Sequence, residues 1–158
     1  MAKPLTELLT EFWQELEQNK GDRARLRRCR QPEDALFLAS PHRFLRQART
    51  AGIKVNDDWL MVMAVLAAQV EALTQEGIAQ QMAQGEKPRV SELRFQRLLR
   101  QNEPAEVLHA LRQGIKLLDN RINLNDLAES LALWGVDWGA KKTKLRWSTS
   151  YFQHANLN

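Results

Sequence analysis

The stretch WLMVMAVLAAQV, residues 59–70, is the most apolar part of this 158-residue chain and decides its fold class. A helix on a protein surface carries one apolar stripe, whereas this segment is apolar on nearly every side. It is too short to cross a bilayer, which takes about 20 apolar residues. We therefore predict a buried helix from about residue 57 to residue 75, capped by Asn56 or Asp57, at the centre of a helical bundle.

The segments on either side of this stretch have the periodicity of amphipathic helices. Leucines and aromatic residues recur three and four positions apart over residues 4–19, which predicts a helix that starts near Pro4 and ends at Gly21. Further helices are predicted at Asp22, Ser40, Ser91 and Pro104, at Asn123 or Asn125, and after Gly139. Apolar and polar residues nowhere alternate at period two over a useful length. The predicted fold class is all-α: two small helical bundles with about eight or nine helices.

A polar segment, EGIAQQMAQGEKPRV at residues 76–90, separates the two halves of the chain. It contains Gly77, Gly85 and Pro88, which are typical of turns and loops. We interpret it as a weak helical turn followed by a linker. The predicted domains are an N-terminal helical bundle, residues 1–86, and a C-terminal helical bundle, residues 87–158.

Composition excludes several classes of protein. Apolar residues make up 44% of the chain, which favours globular folding. Cys29 is the only cysteine, so neither a disulfide nor a paired-cysteine metal site is possible within one chain. The N-terminus lacks the basic region and apolar core of a secretory signal peptide. We therefore expect a cytoplasmic protein with no membrane partner.

No pattern of catalytic residues stands out. His42, His109 and His154 lie far apart, and none belongs to a known metal-binding motif. Glycine-rich phosphate-binding loops are absent from the sequence. The pair Asp57–Asp58 is accounted for by its place at a helix N-terminus, where the helix dipole favours carboxylates. We predict no catalytic residues, no metal site and no cofactor.

The distribution of charge is more informative than the net charge of +4. Residues 4–19 hold four glutamates and no lysine or arginine, whereas GDRARLRRCR, residues 21–30, holds five arginines. On a helix, Arg23, Arg27 and Arg30 share a stripe about 60° wide. Like charges at that spacing weaken a helix, so stability does not explain the stripe. Segregated positive charge favours an extended acidic partner such as nucleic acid, although solvated surface arginines that pair with the glutamates of the first helix are the alternative.

Two further basic clusters follow the same pattern. After Ser91, Phe95, Leu98 and Leu99 form a core arc, and three arginines occupy the opposite half of the helix. The last helix carries a run of lysines and one arginine. The candidate nucleic-acid-binding residues are the cations of these clusters and of the segment after Ser40: Arg23, Arg25, Arg27, Arg28, Arg30, Arg43, Arg46, Arg94, Arg97, Arg100, Lys141, Lys142, Lys144 and Arg146.

The last helix also carries two sets of aromatic and apolar residues. Trp138, Leu145 and Phe152 lie seven positions apart and form one apolar seam. Trp147 and Tyr151 lie on a different side, next to Lys144. The second pair either packs on a neighbouring helix or offers a stacking platform for unpaired bases.

Three segments, in this order, resemble one known family. They are ARLRRCRQPEDALFL…PHRFL, then VSELRFQRLLRQNEPAEVLHALRQGIKLLD, then LNDLAESLALWG…KKTKLRWSTSYF. Their order and the chain length resemble the CasB family, the small subunit of the type I-E CRISPR surveillance complex, Cascade. The resemblance covers roughly residues 22–46 and 90–152. The segment VDWGAKK departs from the family pattern, which leaves the register of the last helix open.

The resemblance implies a non-enzymatic protein of two helical bundles that works inside Cascade. It implies self-association with a second copy, contacts with other Cascade subunits, and binding of crRNA and target DNA, both as single strands and in the R-loop. Arg27 and Arg28 match paired basic residues of the family, and Arg94, Arg100 and the run from Lys141 to Arg146 match later basic positions. Two other classes remain as alternatives: a basic helical protein–protein adaptor, and a DNA-binding regulator of the helix-turn-helix type.

Overall fold

A helix that is buried beyond its first two residues lies at the centre of the computed structural model, which describes residues 2–157. The described part of the chain forms nine α-helices, one short 3-10 helix and one pair of two-residue strands. The elements are α1 (Leu5–Gln18), α2 (Lys20–Arg27), the 3-10 helix (Pro32–Phe37), α3 (Ala39–Thr50), α4 (Asp57–Gln69), β1 (Ala72–Leu73), α5 (Ile78–Ala83), α6 (Glu92–Arg100), α7 (Pro104–Leu117), β2 (Arg121–Ile122), α8 (Leu124–Trp134) and α9 (Asp137–His154). The predicted all-α class is confirmed.

The central helix is α4. Every residue from Trp59 to Val70 is buried, and α1, α2, α3, α7, α8 and the 3-10 helix pack around it. The helix ends at Gln69, so the predicted extension to residue 75 is wrong. The backbone beyond it bonds to the segment after α7 instead, because β1 pairs in parallel with β2. The Glu71 and Thr74 amides donate to the carbonyls of Asn120 and Ile122, at 2.7 and 3.0 Å.

The start of the arginine segment also differs from the prediction. α1 ends at Gln18, and Gly21 lies inside α2 rather than ending the first helix. Asn19, not Asp22, caps α2, since its side-chain oxygen accepts a hydrogen bond from the Asp22 amide. The cap places two turns of helix between Lys20 and Arg27 and fixes the direction of the arginines that follow.

The polar segment at residues 76–90 contains a true helix, α5. Its Ile78, Ala79, Met82 and Ala83 are buried, and it packs against α9. A carboxylate oxygen of Asp126 accepts a hydrogen bond from the Ile78 amide at 2.8 Å, which holds the first turn against α8. The buried apolar residues of both halves of the chain form one continuous cluster. The division into residues 1–86 and 87–158 stays a prediction.

The last helix, α9, begins at Asp137, three residues earlier than predicted, and includes Gly139. Trp147 and Tyr151 are buried, so their rings are not available to bases, and the packing interpretation is confirmed. The Tyr151 ring stacks on Phe95 at 4.0 Å between centroids, and its hydroxyl donates to the Val90 carbonyl at 2.6 Å. Within residues 2–157, no helix combines the length and apolarity needed to cross a membrane.

Limited proteolysis tests the predicted domain boundary. The loop between α5 and α6 is exposed at Glu86 and Lys87, and the bond after Lys87 is poorly cut by trypsin because proline follows. We expect a glutamate-specific protease to cut native protein first after Glu86, which yields fragments 1–86 and 87–158. A first cut at another exposed glutamate, such as Glu103, would contradict this boundary.

The packing of α9 can be followed through Tyr151, the one tyrosine of the chain. Burial, reinforced by nearby Glu92, raises the pKa of Tyr151 above its ordinary value. The folded state therefore holds this proton more tightly than the unfolded state, and the resulting stabilisation is lost as the pH rises through the pKa of the folded protein. We expect the ultraviolet absorbance of tyrosinate to appear at a higher pH in native than in denatured protein.

The matched variant is Tyr151→Phe. It removes the titration and leaves the Val90 carbonyl without its donor, so the free energy of unfolding should fall by about 1–2 kcal/mol at neutral pH. Identical tyrosine titrations in native and denatured protein would show that α9 does not pack as described.

Candidate nucleic-acid interface

The structure divides the predicted cations into two groups. One group makes hydrogen bonds or ion pairs through its side chains: Arg23, Arg25, Arg27, Arg43, Lys144 and Arg146. The other group is exposed and makes no side-chain hydrogen bond or ion pair within residues 2–157: Arg28, Arg30, Arg46, Arg94, Arg97, Arg100, Lys141 and Lys142. Cations of the second group are free to meet a ligand, whereas those of the first already have a structural role.

Two members of the arginine stripe bind the end of the central helix. Arg23 donates from Nε to the Ala68 carbonyl at 3.1 Å and from Nη2 to the Val70 carbonyl at 2.8 Å. Arg27 donates from Nε to the Ala68 carbonyl at 2.8 Å. The last carbonyls of a helix have no partners within it, and cations there also complement the helix dipole. Burial, together with the charge of Arg23, lowers the pKa of Arg27.

Two exposed ion pairs occupy further arginines. Arg25 lies 2.9 Å from Asp22 on the same helix, and Arg43 lies 3.3 Å from Glu15 of α1. Pairing with a glutamate of the first helix, the alternative considered for the arginine stripe, is therefore made by Arg43 of α3 and not by the stripe. Pairs this exposed contribute at most about 1 kcal/mol, so they hold their side chains only weakly.

The basic run of α9 is partly structural. Lys144 donates to Asn102 at 2.5 Å and lies 5.6 Å from the centre of the Trp134 ring, and burial lowers the pKa of Lys144. Arg146 donates to the Asp126 carboxylate at 3.2 Å and to the Ser130 hydroxyl oxygen at 2.7 Å. These contacts fix α9 on α8 and leave Lys141 and Lys142 as the cations of this run that make no side-chain hydrogen bond or ion pair in the described chain.

A cleft of about 800 Å³ brings together arginines that are far apart in the sequence. Arg30 comes from the end of the arginine segment, Arg97 from α6 and Arg112 from α7. The side chains lining the cleft are Arg30, Gln31, Arg97, Gln101, Ala105, Glu106, His109, Ala110, Arg112 and Gln113. The cleft therefore joins two of the clusters that the sequence predicts separately.

The predicted binding residues do not include Arg112. It lies among the leucines of α7, whose periodicity indicates a core helix and gives no sign of a cation that lines a cleft. Its Nη1 donates to the Cys29 carbonyl at 2.5 Å, which ties α7 to the arginine segment. Its Nη2 is buried without a hydrogen-bond partner. Burial lowers the pKa of Arg112, and an unpaired buried donor costs about 1–3 kcal/mol.

The chemistry of the cleft suits phosphate. Guanidinium groups donate parallel hydrogen bonds to phosphate oxygens, and glutamine amides on the same wall offer further donors. Glu106 is the one carboxylate on the wall and offsets part of the positive charge. No group of metal-ligating side chains occurs in the part of the chain that the structure describes.

The difference between the arginines that bind α4 and the exposed arginines can be measured through the free energy of unfolding. Arg23→Ala removes two hydrogen bonds to buried carbonyls and should lower the free energy of unfolding by about 1–3 kcal/mol in urea titrations. Arg28→Ala, the matched control on the exposed side, should change it by less than about 0.5 kcal/mol. Equal effects of the two substitutions would mean that Arg23 does not bind the end of α4.

The geometry agrees with a family assignment. No curated protein matches the chain. The family model for CRISPR-associated protein Cse2 matches residues 22–152, a range that runs from α2 into α9 and includes Arg30, Arg97 and Arg112. The match also spans residues 50–88, where the sequence offers no recognisable motif. The resemblance to CasB is confirmed, and the chain belongs to the Cse2 family, the small subunit of the type I-E Cascade complex.

Proposed function

We propose that this Cascade subunit binds the sugar–phosphate backbone of crRNA and of the target or displaced DNA strand, and that it is not an enzyme. The observation that carries the proposal is the convergence of Arg30, Arg97 and Arg112 in one cleft within the range matched by the family model. The subunit acts by holding separated strands, which stabilises the R-loop in antiviral defence. Its location follows from the complex and is cytoplasmic.

The proposed role needs cations without a base-reading code. In an RNA-guided complex, base pairing reads the sequence and the protein contacts the backbone. R-loop formation is nearly balanced in free energy, because the heteroduplex formed is about as stable as the duplex it replaces. A few phosphate contacts on one strand are then enough to favour the open state.

The exposed side of α6 extends the cleft into a row of cations. Arg94 and Arg100 lie about one helical turn on either side of Arg97, and all three are exposed. Phe95 and Leu98, which are buried, hold this helix on the core with its arginines outward. A single strand that enters the cleft is therefore expected to follow α6, where phosphates meet one arginine after another.

The other predicted cations receive different roles in this proposal. Arg28, Arg46, Lys141 and Lys142 are exposed and unpaired in the described chain, so they remain candidate phosphate contacts. Arg23 and Arg27 act through the core, because their guanidinium groups bind the end of α4. Self-association with a second copy inside Cascade completes the proposed set of partners.

The salt dependence of DNA binding tests the cleft. Affinity falls as salt rises, and we define the salt slope as the magnitude of the decrease of log affinity with log salt. On a single strand, removal of one interaction with a phosphate lowers this slope by about 0.7. In assembled Cascade, Arg30→Ala/Arg97→Ala should lower that slope by about 1.4 and should weaken binding equally for unrelated target sequences. Lys20→Ala/Lys54→Ala, which removes the same charge from exposed positions outside the cleft, should leave the slope unchanged.

Each contrary result would contradict the proposal in a different way. An unchanged slope for Arg30→Ala/Arg97→Ala in a fully assembled complex would mean that the cleft is only solvated. Loss of the subunit from the complex, with folding intact, would favour the adaptor. Weakened binding of one target sequence and not of others would favour the sequence-specific regulator.

A further inference from the structure

We propose that the outward face of α9 docks an amphipathic helix of a different Cascade subunit, one with an apolar seam and acidic flanks. The proposal rests on membership of the complex and does not depend on nucleic-acid binding by the cleft. It starts from Trp138, Leu145 and Phe152, whose side chains are 75%, 66% and 43% exposed. The opposite side of the same helix is buried at Gly139, Trp147 and Tyr151.

The three exposed residues form one continuous seam. They lie seven positions apart, so they stay within a stripe about 40° wide along about 21 Å of helix. Apolar residues at this spacing are the ones that a helix presents to a partner helix in coiled-coil packing. An exposed tryptophan is also the residue type most enriched among those that dominate binding energy in interfaces.

The seam is held in place before any partner binds. The Phe152 ring meets Phe95 of α6 edge-on at 6.3 Å and Tyr151 edge-on at 5.2 Å between centroids. Trp147, on the inner side of the helix, donates to the Ser130 hydroxyl oxygen at 3.0 Å. Because α9 is anchored through these contacts, this chain loses little conformational entropy when a partner binds to the seam.

The charges beside the seam of α9 indicate which residues a partner helix should carry beside its own seam. Lys141 and Lys142 lie about 60° to one side and about 40° to the other side of Trp138, and both are exposed and unpaired in the described chain. After Asp137, α9 contains no carboxylate. A partner with aspartate or glutamate beside its own seam would meet these lysines and would take the place of the phosphate contacts considered for them above, whereas a basic partner would be repelled.

A second copy of this chain supplies no such helix within its described residues, since its own α9 carries lysines rather than carboxylates beside the seam. The exposed side of α1 is acidic, but its large apolar residues are buried or half-buried. Leu36 and Phe37 are exposed beside Glu33, yet they lie in a 3-10 helix of six residues. That element spans about 12 Å and cannot cover a seam of about 21 Å.

Unpaired bases fit the seam less well than a helix does. Stacked bases follow one another about every 3.4 Å, whereas the two aromatic rings lie about 21 Å apart along the axis. The position between them is Leu145, which has no ring on which a base can stack. The spacing therefore favours the side chains of a helix.

The first experiment removes the seam from Cascade assembled with its other subunits. Trp138→Ser/Leu145→Ser should reduce retention of this subunit at least about tenfold, because exposed anchors of this kind dominate interface energy. The matched control, Leu36→Ser/Leu73→Ser, changes two exposed apolar residues elsewhere and should be retained like the unchanged protein. Unchanged retention of the seam variant would overturn the proposal.

The second experiment identifies what touches the seam. Benzoyl-phenylalanine incorporated in place of Leu145 should photo-crosslink, in the assembled complex, to a helical peptide of another subunit that has apolar residues at heptad spacing and acidic neighbours. Incorporation in place of exposed Gln18 of α1 is the control and should not label that peptide. Crosslinks to a second copy, to nucleic acid or to nothing would each overturn the assigned partner.

The outcome is separable from that of the cleft. Seam variants incorporated at saturating concentration should keep the salt slope of DNA binding, since the cleft is lined by other elements. Loss of retention with an unchanged slope therefore supports the seam whatever the cleft does. A seam variant that is retained normally but has a reduced slope would instead place nucleic acid on α9 and overturn the proposal.

Discussion

The burial of α4 from Trp59 to its C-terminal end is the constraint on which the rest of the structure depends. A helix surrounded by protein cannot leave its last carbonyls to water, so donors must come from elsewhere in the chain. Arg23 donates to the carbonyls of Ala68 and Val70 and Arg27 donates to that of Ala68, and the Trp13 indole is a second donor to Val70 at 2.8 Å. The segment of Arg23 and Arg27 is thus held against the core by α4, the helix whose apolar sequence requires burial. Its direction decides which later arginines reach the surface.

Within the arginine segment, some side chains are therefore used to bind the core and others are exposed to solvent. The guanidinium groups of Arg23 and Arg27 bind the end of α4, whereas Arg28 and Arg30 project from the end of α2 and from the loop after it. Arg112 then ties the Cys29 carbonyl to α7, which holds the loop beside α6. The cleft is therefore a product of core packing. The position of the cleft relative to α4 follows from the hydrogen bonds that Arg23, Arg27 and Arg112 donate to backbone carbonyls. Such bonds restrain an arginine more firmly than an exposed ion pair does.

The sequence predicts whatever depends on local periodicity and misses what depends on distant partners. The burial of α4 and the outward arginines of α6 follow from the spacing of apolar residues alone. The structural role of Arg23 does not, because its acceptors lie more than forty positions away. On α9 the sequence shows two apolar stripes and cannot say which is inside. Close approach decides it: a Cβ at Gly139 would lie 2.8 Å from the Leu133 carbonyl oxygen, so the side with Gly139 and Trp147 faces α8.

The cost of assembling the cleft points to how it is used. Three guanidinium groups share one cavity wall with a single carboxylate, and one buried nitrogen of Arg112 has no acceptor. Repulsion among the guanidinium groups and the unpaired Arg112 donor both raise the free energy of the folded protein. The phosphate group that we propose as the ligand would relieve the repulsion and would need no particular base beside it. In the proposed role, binding would therefore be strongest where charge is densest and indifferent to sequence, which is the property that holding guide and target strands of any sequence requires.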